Sequence, residues 1–365
     1  MKVLLVGEFS GFHVNLKKGL LENGVEVEIA AREDQMRKIK VDIPLNSSVS
    51  FKSNNINKVI KGIYPFILRN RLSGYDVVQF IGPFLFCNKI PKIGLVINSL
   101  IYKMIIRSNE KVFFTSCGID AFYKQIGKNY LRYNNCDLDE IDNPGYFKET
   151  NKLFEWNLDL LKRSSGVIPA SYDYYVGYSK LNKYQNKISK IIPMPLATDY
   201  YPYQENIIRD CKYRFLHGIT RPNFKGSKYI LAALDRLKKK YPNDVEIVLV
   251  KNMPLNDYLK VIYSANVVLD QTNSYGYGMN ALISMAQGRV VLSGSEKEVL
   301  DDLSIQEIPV INIISNENQI YDKLLYLLEK RRDITEMGLK SYEFVKKYHE
   351  AKIVANQYLK FWNSK

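Results

Sequence analysis

The sequence predicts an α/β protein built from two doubly wound domains. Three observations point there. Short apolar runs alternate with amphipathic helical stretches along nearly the whole chain. One proline-rich stretch without helical period, IIPMPLATDYYPYQEN at 191–206, interrupts that alternation. And 365 residues exceed what one ordinary core organises.

In order, KVLLVG (2–7) reads as a buried strand, and HVNLKKGLLENG as a helix closed by Gly24. VEVEIAA (25–31), YDVVQFIG (75–82), KVFFTSCG (111–118) and SGVIPAS (165–171) are the next strands, with helices expected over 88–108 and 151–164. Residues 119–148 are polar and aromatic and read as a long ordered loop near a site. After the linker the pattern restarts. Strands are expected at 212–219, 245–251, 266–271, 289–294 and 308–313, with helices at 226–242 and 254–265 and three more from about 315 to 363.

The formal charge of +14 is uneven: residues 1–195 carry 28 Lys/Arg against 18 Asp/Glu, the remainder 24 against 20. A basic first half suits an anionic membrane surface or a phosphorylated substrate, or is a lysine-rich solvated surface. No nucleic-acid recognition motif accompanies it, so no nucleic-acid partner is expected. MKVLLVGEFSGFH reaches Glu8 too soon for a signal peptide, and IGLVINSLIYKMII (93–106) is too short and polar to span a bilayer. Four cysteines without metal spacing and only three histidines predict a reduced cytoplasmic protein with no metal and no cofactor.

Chemistry is expected in the turns at strand ends, where doubly wound sheets bind ligands. GEFSGF (7–12) lacks the dinucleotide fingerprint, but Ser10 and Gly11 can offer N–H groups to an anion, with His13 as an active-site contact or a surface group. Asp120, ending TSCGID, is a proton acceptor or sugar-hydroxyl ligand, or else a helix cap. In HGITRPNFKGSKYI, Arg221 and Lys225 suit a diphosphate. Asn252 can read a nucleobase edge or cap a helix. In DQTNSYGYGMN, Gly276 and Gly278 let the backbone approach a ligand, and Tyr277, Gly278, Met279 and Asn280 offer amides at a helix start. Asp270 or Glu298, near strand ends, is a candidate carboxylate for the donor.

These residues, from RFLHGITRPNFKGSKYI through VVLDQTNSYGYGMNALISMAQGRVVLSG, resemble the GT-B glycosyltransferases of the retaining family-four type. The resemblance implies two Rossmann-like domains facing across a cleft: 1–195 for the acceptor and 196–349 for a nucleotide-sugar. It implies that the last helix, 350–365, crosses back to the first domain. GEFSGF resembles the family's N-terminal active-site loop, and Arg221 with Lys225 its basic pair on the donor diphosphate. Sugar transfer with retention to a glycan or lipid-linked acceptor, in bacterial surface polysaccharide assembly at the inner membrane face, is the implied activity. One departure stands out. Where the family carries two glutamates eight positions apart, this chain has Tyr275 and Ile283. A silent sugar-nucleotide-binding protein and a sugar-nucleotide epimerase on the same plan are the alternative readings.

Overall fold

The computed structural model describes residues 1–32, 40–45, 54–83, 94–133, 135–142, 150–251 and 253–365. Expected features at 88–93, 143–148 and Asn252 lie outside these residues. All ten expected strands form, and the chain separates into two compact units.

The first unit comprises 1–130, 145–195 and 351–365. Its strands are β1 (Lys2–Val6), β2 (Glu26–Ala31), β3 (Ile43–Pro44), β4 (Val77–Phe80), β5 (Lys111–Ser116) and β6 (Gly166–Pro169), in the order β3-β2-β1-β4-β5-β6, all parallel. Strands covered on both faces need near-continuous apolar sequence; β1 is such a run from Val3 onward, and β4 is apolar but for Gln79, whose amide is hydrogen-bonded. β3 was not expected; two residues give no periodicity to read.

The second unit comprises 131–144 and 196–350. Its strands are β7 (Tyr213–Gly218), β8 (Val245–Val250), β9 (Val267–Leu269), β10 (Val290–Ser293) and β11 (Val310–Asn312), in the parallel order β11-β10-β9-β7-β8. Strand order reverses between β7 and β9, as it does between β1 and β4 in the first sheet. Residues 131–144 differ from the expected division, which put everything before 196 in the first domain. The stretch 119–148, expected as loop, contains the short helices Ala121–Gln125 and Cys136–Asp142.

The last helix, Ala351–Asn363, belongs to the first unit. Its buried face, Val354, Ala355, Tyr358 and Trp362, joins Val3, Leu5, Leu16 and Leu20 in one apolar cluster. It lies so close to the helix Phe12–Glu22 that a Cβ on Gly19 would stand 2.0 Å from the Ala351 carbonyl oxygen. Trp362 is wholly buried, and its indole N–H donates to Gln79 Oε1 at 3.0 Å. Gln79 in turn donates to Thr115 Oγ1 at 2.9 Å, so the last turn of the chain is bonded to β4 and β5.

Two substitutions test this docking. Trp362→Ala should cost about 3–5 kcal/mol, as large aromatic truncations in cores do. Gly19→Ala should cost roughly 1–3 kcal/mol through overpacking. Urea unfolding measures both, and a Gly19→Ala variant as stable as the parent would contradict the close crossing.

Candidate nucleotide site

Ligands in open α/β sheets sit beyond the carboxyl ends of the strands, where strand order reverses. In the second unit that position lies past β7 and β9, whose ends are in register at His217 and Leu269. Two turns leave from there: 219–226 after β7 and 270–278 after β9.

The first turn leads into the helix Pro222–Lys225. Arg221 enters it with φ 50°, a left-handed conformation uncommon outside glycine. Gly226 closes it with φ 67°, and a Cβ there would lie 2.0 Å from Thr272 Oγ1. Thr272 N also donates to the Lys225 carbonyl at 3.2 Å, so the two turns pack as one body. Beneath them His217 is fully buried. Burial, and then the nearby Lys225 charge, lower its pKa, and a neutral ring whose Nδ1 faces the Leu269 carbonyl at 2.9 Å must donate there. Nε2 then accepts from the Ser227 hydroxyl at 2.9 Å.

Lys225 and Asp270 meet at the centre. Lys225 Nζ donates to Asp270 Oδ1 at 2.8 Å, with side-chain exposures of 9% and 2%. Asn280 Nδ2 donates to the same oxygen at 2.9 Å. Burial alone would raise the Asp270 pKa. The Lys225 charge and hydrogen bond, with that of Asn280, outweigh it and hold the carboxyl below its usual range. Asp270 is therefore the counter-ion and anchor of Lys225 rather than a free carboxylate.

The second turn ends in the helix Met279–Ala286, with Gly278 at its N-cap and no side-chain cap. A helix start leaves its first N–H groups without intrahelical acceptors. Here they belong to residues directly beside Asn280, the Asp270 partner. The Tyr277 side chain points elsewhere: its hydroxyl is 2.9 Å from His349 Nε2.

The start expected after Lys225 is that of the helix Ser227–Lys240, with Gly226 at its N-cap and no side-chain cap, whereas the short helix before it and the helix start after Gly11 each hold one of the chain's own carboxylates. Asp142 accepts from Phe224 N at 2.9 Å, Asn223 N at 3.4 Å and Asn223 Nδ2 at 2.8 Å, covering the start of Pro222–Lys225. Arg221 reaches Asp139 at 3.5 Å while its guanidinium lies over the Phe224 ring. In the first unit Glu8 accepts from Gly11 N at 2.7 Å and Val14 N at 2.9 Å. The Gly11 amide is thus held by Glu8 at this helix start. The acidic run CDLDEID and the glutamate three residues before Gly11 were the sequence signals for these caps.

Asp120 and His13 are also placed in the first unit. Asp120 is buried; it caps Ala121–Gln125 by accepting from Tyr123 N at 2.8 Å and takes the Tyr178 hydroxyl at 2.7 Å. Burial pushes its pKa up to about 6, against those two hydrogen bonds. With both oxygens engaged it is a helix cap rather than an exposed proton acceptor. His13 is not a surface group: it is fully buried, which pushes its pKa down to about 3. Its Nδ1 sits 2.6 Å from the Gly7 carbonyl, so the neutral ring donates there, leaving Nε2 without a partner.

Tyr275 and Ile283 are both buried. The Tyr275 hydroxyl accepts from the Arg132 amide, and the Arg132 guanidinium lies over the same ring while pairing with Glu296 and Glu298. The carboxylate of Glu298 is thereby held by Arg132. Among the described residues no group of three or more His, Cys, Asp and Glu is placed to hold a metal ion.

Solved structures share this fold. Sucrose-phosphate synthase from Thermosynechococcus elongatus matches with a TM-score of 0.63 at 14% identity, covering 100% of this chain and 98% of that one. Anabaena HepE in complex with UDP matches at 0.58 and 12% identity, covering 100% of both chains. An alpha-glucosyltransferase in complex with UDP and a 13-mer DNA matches at 0.62 and 8% identity, covering 100% and 99%. The chain has the GT-B fold. No protein-family model and no curated protein matches the sequence. Within the GT-B fold, the turns that carry Lys225 and Asp270 belong to the second Rossmann-like unit.

The buried pair makes a measurable claim. Removing one partner of a buried ion pair leaves an uncompensated charge, so Lys225→Met should cost about 3–5 kcal/mol at pH 7. The double variant Lys225→Met/Asp270→Leu should regain most of that. Because the folded Asp270 pKa lies below the unfolded one, its stabilisation is present above about pH 4 and lost as pH falls through the folded value. The gap between the single and double variants should therefore narrow in acid. Urea titrations at pH 7 and pH 3 check this; a Lys225→Met loss below about 1 kcal/mol, as for an exposed pair, would contradict it.

Proposed function

We propose that the protein is a glycosyltransferase moving a sugar from a nucleoside-diphosphate donor to an acceptor hydroxyl. The observation that carries this reading is the Lys225–Asp270–Asn280 cluster beside an uncapped helix start at the strand-order reversal of the second sheet. Lys225 spends one N–H on Asp270 and keeps two for phosphate oxygens. The amides of Gly278, Met279 and Asn280 add fixed dipoles. Arg221 joins them by exchanging Asp139 for a phosphate. Structures of the same fold that bind UDP support a nucleotide ligand.

In the reaction, the acceptor oxygen bonds to the anomeric carbon and the bond from that carbon to the diphosphate breaks. The diphosphate leaves with the electron pair and takes up the hydroxyl proton. The charge that develops lies on the leaving oxygen, where pre-oriented donors act; losing one such donor costs about 10²–10³ in rate. We propose retention of configuration, with no metal and no cofactor needed for this step. On the acceptor side, His13 Nε2 is a buried ring nitrogen without a hydrogen-bond partner, one of several such groups in the first unit.

We further place the acceptor on a lipid carrier at an anionic membrane face, in surface glycan synthesis. No helix among the described residues is long and apolar enough to cross a membrane. The helix Gly94–Arg107 nevertheless exposes Val96 and Leu100 on the stripe that continues to Lys103 and Arg107, and its neighbour Asn54–Ile67 exposes Ile63 and Ile67. Apolar residues flanked by basic ones suit an anionic lipid surface.

A second reading, a sugar-nucleotide-binding protein without turnover, is favoured by the buried Tyr275 and Ile283 at the two family glutamate positions. One assay separates them: a panel of nucleotide-sugars, with and without acceptor on anionic or neutral vesicles, read by released nucleoside diphosphate. Transfer predicts acceptor-dependent release from one donor and sedimentation with the anionic vesicles. Binding without release across the panel would establish the second reading, and equal sedimentation with neutral vesicles would remove the membrane assignment.

A further inference from the structure

We infer that His349 is a positioning residue for the nucleotide turn, acting through the side chain of Tyr277. The inference rests on the donor reading above and adds to it the device that orders the turn.

A turn that reads Tyr275-Gly276-Tyr277-Gly278 has two residues with the widest backbone freedom. Amides on a freely sampling turn bind an anion weakly, because ordering them must be repaid on binding. Something has to fix the peptide between the glycines, and the only side chain there is that of Tyr277. Its ring is 6% exposed and stands edge-on to Phe344 and to the His349 ring, with centroids 6.1 Å and 5.5 Å away. Its hydroxyl shares a 2.9 Å hydrogen bond with His349 Nε2. A buried hydroxyl without a partner costs about 1–3 kcal/mol, so the bond selects this one placement of the turn.

His349 is a firm support. It is 2% exposed and follows the helix Ile334–Tyr348, with its N–H on the Val345 carbonyl at 2.8 Å. Its own carbonyl accepts from Leu196 N at 2.7 Å. The next residue, Glu350, takes the Thr198 hydroxyl at 2.6 Å. Leu196 and Glu350 are the second unit's residues at two of the junctions where the chain passes to and from the first. Tyr277 therefore ties the candidate phosphate turn to the place where residues 196–198 and 349–350 of the second unit are bonded together.

The test uses the full chain and UDP as probe. Three quantities are read: the UDP dissociation constant, amide hydrogen exchange over 276–281 without nucleotide, and the unfolding midpoint. Tyr277→Phe, which removes one oxygen, should weaken UDP binding about tenfold, the equivalent of one hydrogen bond. It should speed exchange over 276–281 by a similar factor while the rest of the exchange map stays unchanged. His349→Leu should do the same. His349→Gln, which keeps a polar group within reach of the hydroxyl, should return both quantities to within about threefold of the parent, a rescue that a purely structural role would not give. UDP affinity and exchange unchanged in Tyr277→Phe would overturn the inference. If the parent protein binds no UDP, the donor reading fails on its own. The exchange measurement then still decides whether His349 holds the turn.

Discussion

A lysine and an aspartate, both withdrawn from solvent and 2.8 Å apart, set the terms for the second unit. Neither charge is tolerable alone in that position, so the turns that carry them are committed to one arrangement. Lys225 closes the turn after β7, and Asp270 is the first residue after β9. Their pairing is what brings Gly226, Thr272 and the start of the helix Met279–Ala286 to one place. His217 below and Asn280 beside complete a polar layer in which each member has a partner. Such a layer is stiff, and stiffness is what an anion site needs if its donors are to be worth more than water.

The chain also limits where an anion can go. Two helix starts are answered internally, by Glu8 after β1 and by Asp142 at Pro222–Lys225, while Ser227–Lys240 has Gly226 at its N-cap and no side-chain cap. A carboxylate on a helix start does locally what a phosphate would do, satisfying N–H groups and the positive end of the dipole. The start at Met279 has only a glycine at its cap. In the proposed donor site, phosphate recognition falls to these two glycine-capped starts and Lys225, and the order of the turn before Met279 matters to it. Tyr277 and His349 hold that turn through one buried hydrogen bond.

The sheet strands were legible because parallel strands covered on both faces must be near-continuous apolar runs, and KVLLV, VVQF and VVLS each state that without reference to the rest of the chain. Lys225 was legible by its place before a glycine at a strand end, and the structure puts it at the strand-order reversal, paired with Asp270. What could not be read was pairing at a distance. Asp270 looks like a free carboxylate until Lys225, 45 residues away, is seen beside it. Asp120 reads equally as a proton acceptor or a cap, and only Tyr178, 58 residues on, decides between them. Residues 131–142 sit in the sequence among first-unit elements yet pack with the second, because Arg132, Asn135, Asp139 and Asp142 find their partners there. No local periodicity encodes that choice.

The most direct measurement is a crystal structure of the protein with UDP bound. The account predicts diphosphate oxygens within hydrogen-bond distance of Lys225 Nζ and of the amides at 278–280, with the Tyr277–His349 bond intact and Asp270 still on Lys225. A diphosphate seated elsewhere, with Lys225 and that helix start untouched, would contradict it.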